Sequence, residues 1–318
     1  MKILLDTNVW RYLVDADAVP LLRQAARKSH HRIAMAPGVF YEALRTGDRQ
    51  LREKLVGAMA SPEWLRLMPD AYTEAMELRN EVFRVRPAWK RSPPDLGLHR
   101  RLRFDWVRSK SGFWDRAVSD MEREAALVAD TVTLDRARSE AQNVREDAKG
   151  QPQLPLDAPL DAIQGQPTEQ MPGWNGDWID LWRLTSMAGW IKTLQYPGHA
   201  YEEWLGGEIM TAFLRIPSAD LTRFWCYDVR SDRLPSQWLR AAMTYLQRFH
   251  KVTDGTPVDA QISTYLLDVD LFLSADKNFV RFAQRCRDEA PFMLARAELV
   301  SAADALAHVL AALRRRRW

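Results

Sequence analysis

Short, unbroken apolar runs punctuate both ends of this chain, and amphipathic stretches separate them. Ile3-Leu4-Leu5 is ended abruptly by Asp6-Thr7-Asn8. Runs of this kind read as strands buried on both faces of a parallel sheet. Val9–Leu13 and Ala18–Arg27 read as helical, the second with Pro20 in its first turn, where proline is tolerated. Arg32–Met35 reads as a second strand, Ala36-Pro37-Gly38 as a turn, and Val39–Leu44 as the start of a helix. Asp48–Ala60 places Leu51, Leu55, Val56 and Met59 on one helical face, and Trp64–Met68 reads as a third strand. Asp70 is expected to cap a helix running through Phe83, with Ala71, Ala75, Leu78 and Val82 turned inward. This alternation predicts an α/β sheet.

The pattern then changes. Residues 84 to 116 interleave basic side chains with Trp89, Phe104, Trp106, Phe113 and Trp114. From Asp115 to Asp147 the chain lacks Gly and Pro and reads as one long polar helix. Residues 150 to 173 are rich in proline and glutamine and read as an exposed loop. Trp178–Leu194, Tyr201–Leu214, Ala219–Val229 and Gln237–His250 read as four helices. The α/β grammar resumes with a helix over Val258–Leu267, a strand over Asp270–Leu273 and a helix over Phe279–Arg287. A strand over Pro291–Leu294 and a helix over Ser301–Leu313 complete it. The expected organisation is an α/β/α domain split into residues 1–83 and 255–318 by a mostly helical insertion, 84–254.

Composition refines this only slightly. At 318 residues the chain is long enough for a substantial core, and a formal net charge of +3 leaves only the charge distribution informative. Two cysteines, Cys226 and Cys286, give neither a disulfide framework nor a thiolate zinc site. No apolar run is long enough to span a bilayer, and Asp6 breaks the N-terminal run too early for a signal peptide. A cytoplasmic protein with no membrane partner is expected. The six histidines show no metal-ligand spacing, and His30-His31 reads as an exposed turn.

The candidate chemistry lies where the apolar runs stop. In open α/β sheets, ligands bind outside the carboxyl ends of the strands. Asp6 follows Ile-Leu-Leu, Asp276 follows Leu-Phe-Leu-Ser-Ala, and Glu42 and Asp259 stand near helix starts. Asp6 alone reads as a helix cap; four acids in such positions suggest an oxygen-rich site for Mg²⁺ or Mn²⁺. Asp268-Val269-Asp270 reads as a helix-to-strand turn. A haloacid dehalogenase-like phosphatase is disfavoured, because Asn8 stands where its second Asp is required.

Four motifs in order carry a resemblance. Leu4-Leu5-Asp6-Thr7-Asn8, Val39-Phe40-Tyr41-Glu42, Asp259-Ala260-Gln261-Ile262 and Leu271 to Phe279 resemble those of PIN-domain ribonucleases, including VapC-type toxins. The resemblance covers residues 1–83 and 255 to about 300 and implies a PIN-like three-layer α/β/α fold with a mostly parallel sheet. It implies that Asp6, Glu42, Asp259 and Asp276 bind one or two Mg²⁺ or Mn²⁺ ions, with Thr7, Asn8, Ser274 and Asn278 as supporting polar groups. Asn278 stands where many relatives carry another acid, and the insertion departs from the family pattern. The implied activity is endoribonuclease hydrolysis of RNA, with DNA as an alternative substrate. Arg100, Arg101, Arg103, Arg108 and Lys110 are the expected nucleic-acid contacts, since arginines neutralise phosphates and exposed aromatic rings stack on bases. Two further readings accompany it: a catalytically weak nucleic-acid- or protein-binding scaffold, and a toxin neutralised by an antitoxin-like protein partner. A homo-oligomer is compatible with each.

Overall fold

In the computed structural model, Lys2–Leu5 (β1), Arg32–Met35 (β2), Leu65–Arg66 (β3), Leu271–Ser274 (β4) and Arg296–Leu299 (β5) form one sheet. All pairings are parallel, in the order β3-β2-β1-β4-β5. The structure describes residues 1–108, 110–129, 139, 142, 143, 146, 159–162, 171–196, 198–247 and 256–315. Ile3, Leu4, Leu5 and Leu273 are 0% exposed, as a sheet covered on both faces requires. Each such side chain contributes about 1.5–3 kcal/mol relative to an exposed one.

Thr7–Asp15 (α1), Val19–Lys28 (α2), Pro37–Leu44 (α3), Arg49–Met59 (α4) and Asp70–Val85 (α5) are the first five helices. The strand order reverses direction after β3. Right-handed crossovers therefore place the helices following β1 and β2 on one face and the helix Lys277–Glu289, between β4 and β5, on the other. The fold is a three-layer α/β/α arrangement, as the periodicity predicts, with its sheet parallel throughout. The topological switch point falls between β1 and β4.

Several boundaries differ from expectation for definite reasons. The last strand is Arg296–Leu299 rather than Pro291–Leu294. Pro291 has no N–H to donate, and β5 is an edge strand that buries only Ala297, with Arg296 and Leu299 exposed, so it forms no apolar run. The polar helix expected from Asp115 is two helices, Phe113–Ser119 and Met121–Val128, parted at Asp120 (φ −137°, ψ 52°). Its continuation beyond residue 129, most of the loop 150–173, His250, Arg316 and Arg317 lie outside or almost wholly outside the described residues. The helix expected over Tyr201–Leu214 ends at Leu205, before Gly206-Gly207. Gly207 lies so close to the Asp95 carbonyl that no Cβ fits.

The chain forms two compact units, one of Met1–Asp70, Arg103–Ser139 and Thr253–Trp318, the other of Ala71–Leu102 and Glu140–Val252. The first holds the sheet. In the second, the helix Trp178–Leu194 buries Trp178, Trp182 and Trp190 along one face, so these three tryptophans are core. Trp204, Trp225 and Trp238 are buried there too, with Trp238 edge-on to Trp178 at 6.2 Å. Among the described residues, no helix is long and apolar enough to cross a membrane.

Candidate functional site

Two of the predicted acids meet at the switch point. Asp6 follows β1, and its N–H donates to the Leu273 carbonyl of β4 at 2.9 Å, continuing the ladder by one bond. Its carboxylate accepts the Thr7 N–H at 2.7 Å, so the helix-cap role expected of Asp6 is realised. Its other oxygen accepts the Ser274 hydroxyl at 2.5 Å. That same hydroxyl accepts the Asp276 N–H at 3.0 Å. One fully buried serine thus binds the ends of two adjacent strands. Asp276 in turn caps the helix Lys277–Glu289, accepting the N–H groups of Asn278 (2.7 Å) and Phe279 (2.9 Å). Both acids stand at helix N-termini, whose partial positive charge favours the carboxylate.

Glu42 arrives from α3. That helix starts with Pro37 in its first turn and buries Pro37, Gly38, Val39, Phe40, Ala43 and Leu44, which leaves Glu42 as its one charged residue. The Thr7 hydroxyl donates to Glu42 at 2.5 Å, so Thr7 touches Asp6 through its backbone and Glu42 through its side chain. Asp259 lies on the helix Thr256–Ser263.

The electrostatics tie the four together. Burial, and then Asp6, push the Glu42 carboxyl up to about 7. Burial pushes Asp259 up to about 8, with Asp276, Glu42 and Asp6 all acting in the same direction. Asp6 is raised chiefly by burial, against the lowering effect of its bonds from Ser274 and Thr7, with Asp276 adding repulsion. A cluster of oxygen donors that resists holding negative charge suits a hard divalent cation. Among the described residues, however, no three His, Cys, Asp or Glu side chains stand together as a ready metal shell. The donor chemistry fits Mg²⁺ or Mn²⁺; the coordination shell is not preassembled.

The supporting residues divide. Thr7 and Ser274 sit between the acids. Asn8 and Asn278 are exposed in the first turns of their helices, and Asn278 touches Asp276 through its backbone N–H. Asp270 and Asp268 lie at the opposite rim, where Asp270 accepts the Lys2 N–H at 2.6 Å and the Asp268 carbonyl accepts Lys2 Nζ at 2.9 Å. Theirs is the structural role expected of them.

The basic stretch is sorted by its partners. Trp106 and Trp114 turn inward and pack on α3 rather than into a core of the insertion: Phe40 meets Trp114 at 4.9 Å, and Tyr41 meets Phe113 at 5.8 Å and Trp106 at 6.5 Å. Trp106, Phe113 and Trp114 therefore dock on the helix that carries Glu42. Arg108 is half-buried and pairs with Asp105 at 3.0 Å, and Arg116 pairs with the same carboxylate at 2.8 Å. Arg100, Arg101, Arg103 and Lys110 are exposed. Phe104, 59% exposed, is the ring of this segment left open for stacking.

His31 and the two cysteines find definite surroundings. His31 is buried rather than in an exposed turn; its Nε2 meets the Arg315 carbonyl at 2.6 Å and its Nδ1 the Met1 amine at 3.1 Å. Arg315 is held by Glu298 through two bonds of 2.7 Å. Cys226 and Cys286 are buried, and burial raises both thiols, so neither is poised as a thiolate. Pattern reading missed Thr7 as a bridge, gave Gln261 no role beyond its place in the third motif, and missed Tyr265 altogether. An internal aromatic or amide acquires its meaning from what faces it.

Comparison of the chain with protein-family models, with curated proteins and with solved structures finds no match.

Proposed function

We propose that this chain is a cytoplasmic, metal-dependent endoribonuclease that hydrolyses RNA phosphodiester bonds. The observation that carries the reading is the junction of Asp6 and Asp276 through the Ser274 hydroxyl at the switch point, within electrostatic reach of Asp259. Asp6, Glu42, Asp259 and Asp276 would hold one or two Mg²⁺ or Mn²⁺ ions. When bound, such ions supply an activated water and neutralise charge on the scissile phosphate. The chain's own residues prepare the site. Ser274 holds the two strand-end acids in register, Thr7 aims Glu42 toward Asp6, and the helices starting at Thr7 and Lys277 direct their positive ends at the carboxylates. Exposed Arg100, Arg101, Arg103 and Lys110 bind backbone phosphates and Phe104 stacks on an unpaired base. Hydrolysis leaves 5′-phosphate and 3′-hydroxyl ends.

The test is to incubate the full chain with total RNA and Mn²⁺ and map the new 5′ ends. Asp6→Asn and Asp276→Asn should each reduce cleavage at least about a hundredfold with the fold intact, since Asn caps helices as well as Asp. If both variants cut as the parent does, the assignment is wrong.

One observation favours a second reading, a nucleic-acid-binding scaffold: the acids do not form a ready shell, and Asn278 is neutral. A ligand that binds only the folded state raises the melting temperature by mass action. No rise in millimolar Mn²⁺ would select the scaffold.

A further inference from the structure

The acids of this site ride on separate elements, so their spacing depends on what joins those elements. Glu42 is on α3 and Asp259 on the helix Thr256–Ser263. Past Asp259, in the tight turn Thr264–Leu267, stands Tyr265, 1% exposed. Its phenol oxygen accepts two backbone N–H groups, from Asp70 at 3.1 Å and from Gly38 at 3.4 Å. Each belongs to the first turn of a helix, α5 and α3 respectively, where an N–H has no acceptor within its own helix. The Tyr265 ring also lies flush against Gly38. A Cβ at that position would stand 3.2 Å from Tyr265 Cε2 and 3.4 Å from Ile262 Cγ1. One turn back, on the helix that carries Asp259, the Gln261 amide donates to the Asp70 carboxylate at 2.9 Å. The segment bearing Asp259 therefore grips the start of α3 through a hydroxyl and a ring, and the start of α5 through a hydroxyl and an amide. Gly38 lies a single turn before Glu42, so any slip at this contact moves Glu42 relative to Asp259.

We propose that Tyr265 is a positioning residue: by tying the first turn of α3 to the segment that carries Asp259, it sets the spacing of Glu42 and Asp259 for a divalent cation. The inference rests on the nuclease reading above. It separates two roles for a buried tyrosine. A tyrosine that only fills space affects stability; one that sets ligand spacing affects metal response as well.

The experiment uses the full chain, a synthetic RNA and Mn²⁺, with Tyr265→Phe and Gly38→Ala as variants. Tyr265→Phe keeps the ring and removes the acceptor. Gly38→Ala keeps the acceptor and pushes on the ring. For Tyr265→Phe, the Mn²⁺ concentration giving half-maximal cleavage should rise about tenfold, the scale of losses when an outer partner of a metal ligand is removed. KM for RNA at saturating Mn²⁺ should stay unchanged. The midpoint of the Mn²⁺-dependent rise in melting temperature should move by the same factor, and Gly38→Ala should move both midpoints in the same direction by less. If Tyr265→Phe does not fold, Gly38→Ala carries the same readout. Lower melting temperatures with unchanged Mn²⁺ midpoints in the folded variants would overturn the inference and leave the nuclease reading standing. A parent that neither cuts RNA nor melts higher in Mn²⁺ would overturn both.

Discussion

Two sets of acids in this molecule have opposite surroundings. In the unit of Ala71–Leu102 and Glu140–Val252, Glu74 is 0% exposed. It accepts the Tyr201 hydroxyl at 2.6 Å, the Gln237 amide at 2.7 Å and Arg240 Nε at 3.1 Å. Glu77, close by on α5, accepts the Ser236 hydroxyl at 2.8 Å and its N–H at 3.0 Å. In the sheet-bearing unit, Asp6 and Glu42 accept hydroxyls and a backbone N–H, and other acids press on them. Each set joins a buried acid, Glu74 or Asp6, to a half-buried one, so burial does not distinguish them. The partner does: a guanidinium satisfies Glu74 in place, whereas acids facing acids favour a proton or an external cation.

The comparison breaks most visibly at Glu74. Removing one member of a buried ion pair strands the other, and such changes cost about 3–5 kcal/mol. Glu74→Ala should therefore lower unfolding free energy in urea by about 3 kcal/mol or more. A change below about 1 kcal/mol would mean that the Arg240 pairing contributes little.

At the other set the sign reverses. Asp259, ordinarily near 3.8, titrates near 8 in the folded chain. Between those values the unfolded chain has lost its proton and the folded chain retains it, so stability falls as pH rises. Asp259→Asn should then stabilise the metal-free protein at about pH 8, on the order of 2 kcal/mol, and do less at about pH 5. Melting curves in chelator at the two pH values check this. A destabilised variant at pH 8 would contradict the picture of crowded acids.

Glu298 offers an intermediate case with cations around it. Arg315 foremost, with His308 and Arg296, holds its carboxyl down to about 2. Its folded value lies below its unfolded one, so the stability it contributes is present above about pH 4.5 and is lost as pH falls toward 2. After allowance for solvent screening, Glu298→Gln should lose about 1 kcal/mol at neutral pH. The difference from the parent should vanish near pH 2, read by denaturation at stepped pH.

The smallest stability effect belongs to the surface. The double variant Arg103→Glu, Lys110→Glu should change stability by less than about 0.5 kcal/mol. It should also flatten the salt dependence of RNA binding by about two phosphate contacts. An unchanged salt slope would remove these side chains from the RNA path.

Much of the fold is legible along the chain. The apolar runs at Ile3 to Leu5 and Leu271 to Leu273 can be satisfied only by burial on both faces, which makes them central strands, and Asp6 and Asp276 declare their edges. β5 resists reading because it buries only Ala297 of its four residues, and because Met293, in the apolar run beside it, is 87% exposed. Trp106 and Trp114 could not be placed from spacing, since an aromatic beside arginines serves equally as an anchor or as a stacking platform. Contact with Phe40 and Tyr41 makes them anchors.

What the sequence by itself determined is that Asp6 and Asp276 follow strands and cap helices, because strand ends and helix caps are local events fixed by local chemistry; Glu42, expected near a helix start, is the sixth of the eight residues of α3. What only the tertiary structure decided is their relation. Ser274 joining Asp6 to Asp276, Thr7 reaching Glu42, and Tyr265 spanning Gly38 and Asp70 are all contacts across the fold. No periodicity encodes such contacts. They arise when parallel strands far apart in sequence are brought side by side, and a hydroxyl that would otherwise bond water is left facing a buried carboxylate or an uncapped N–H.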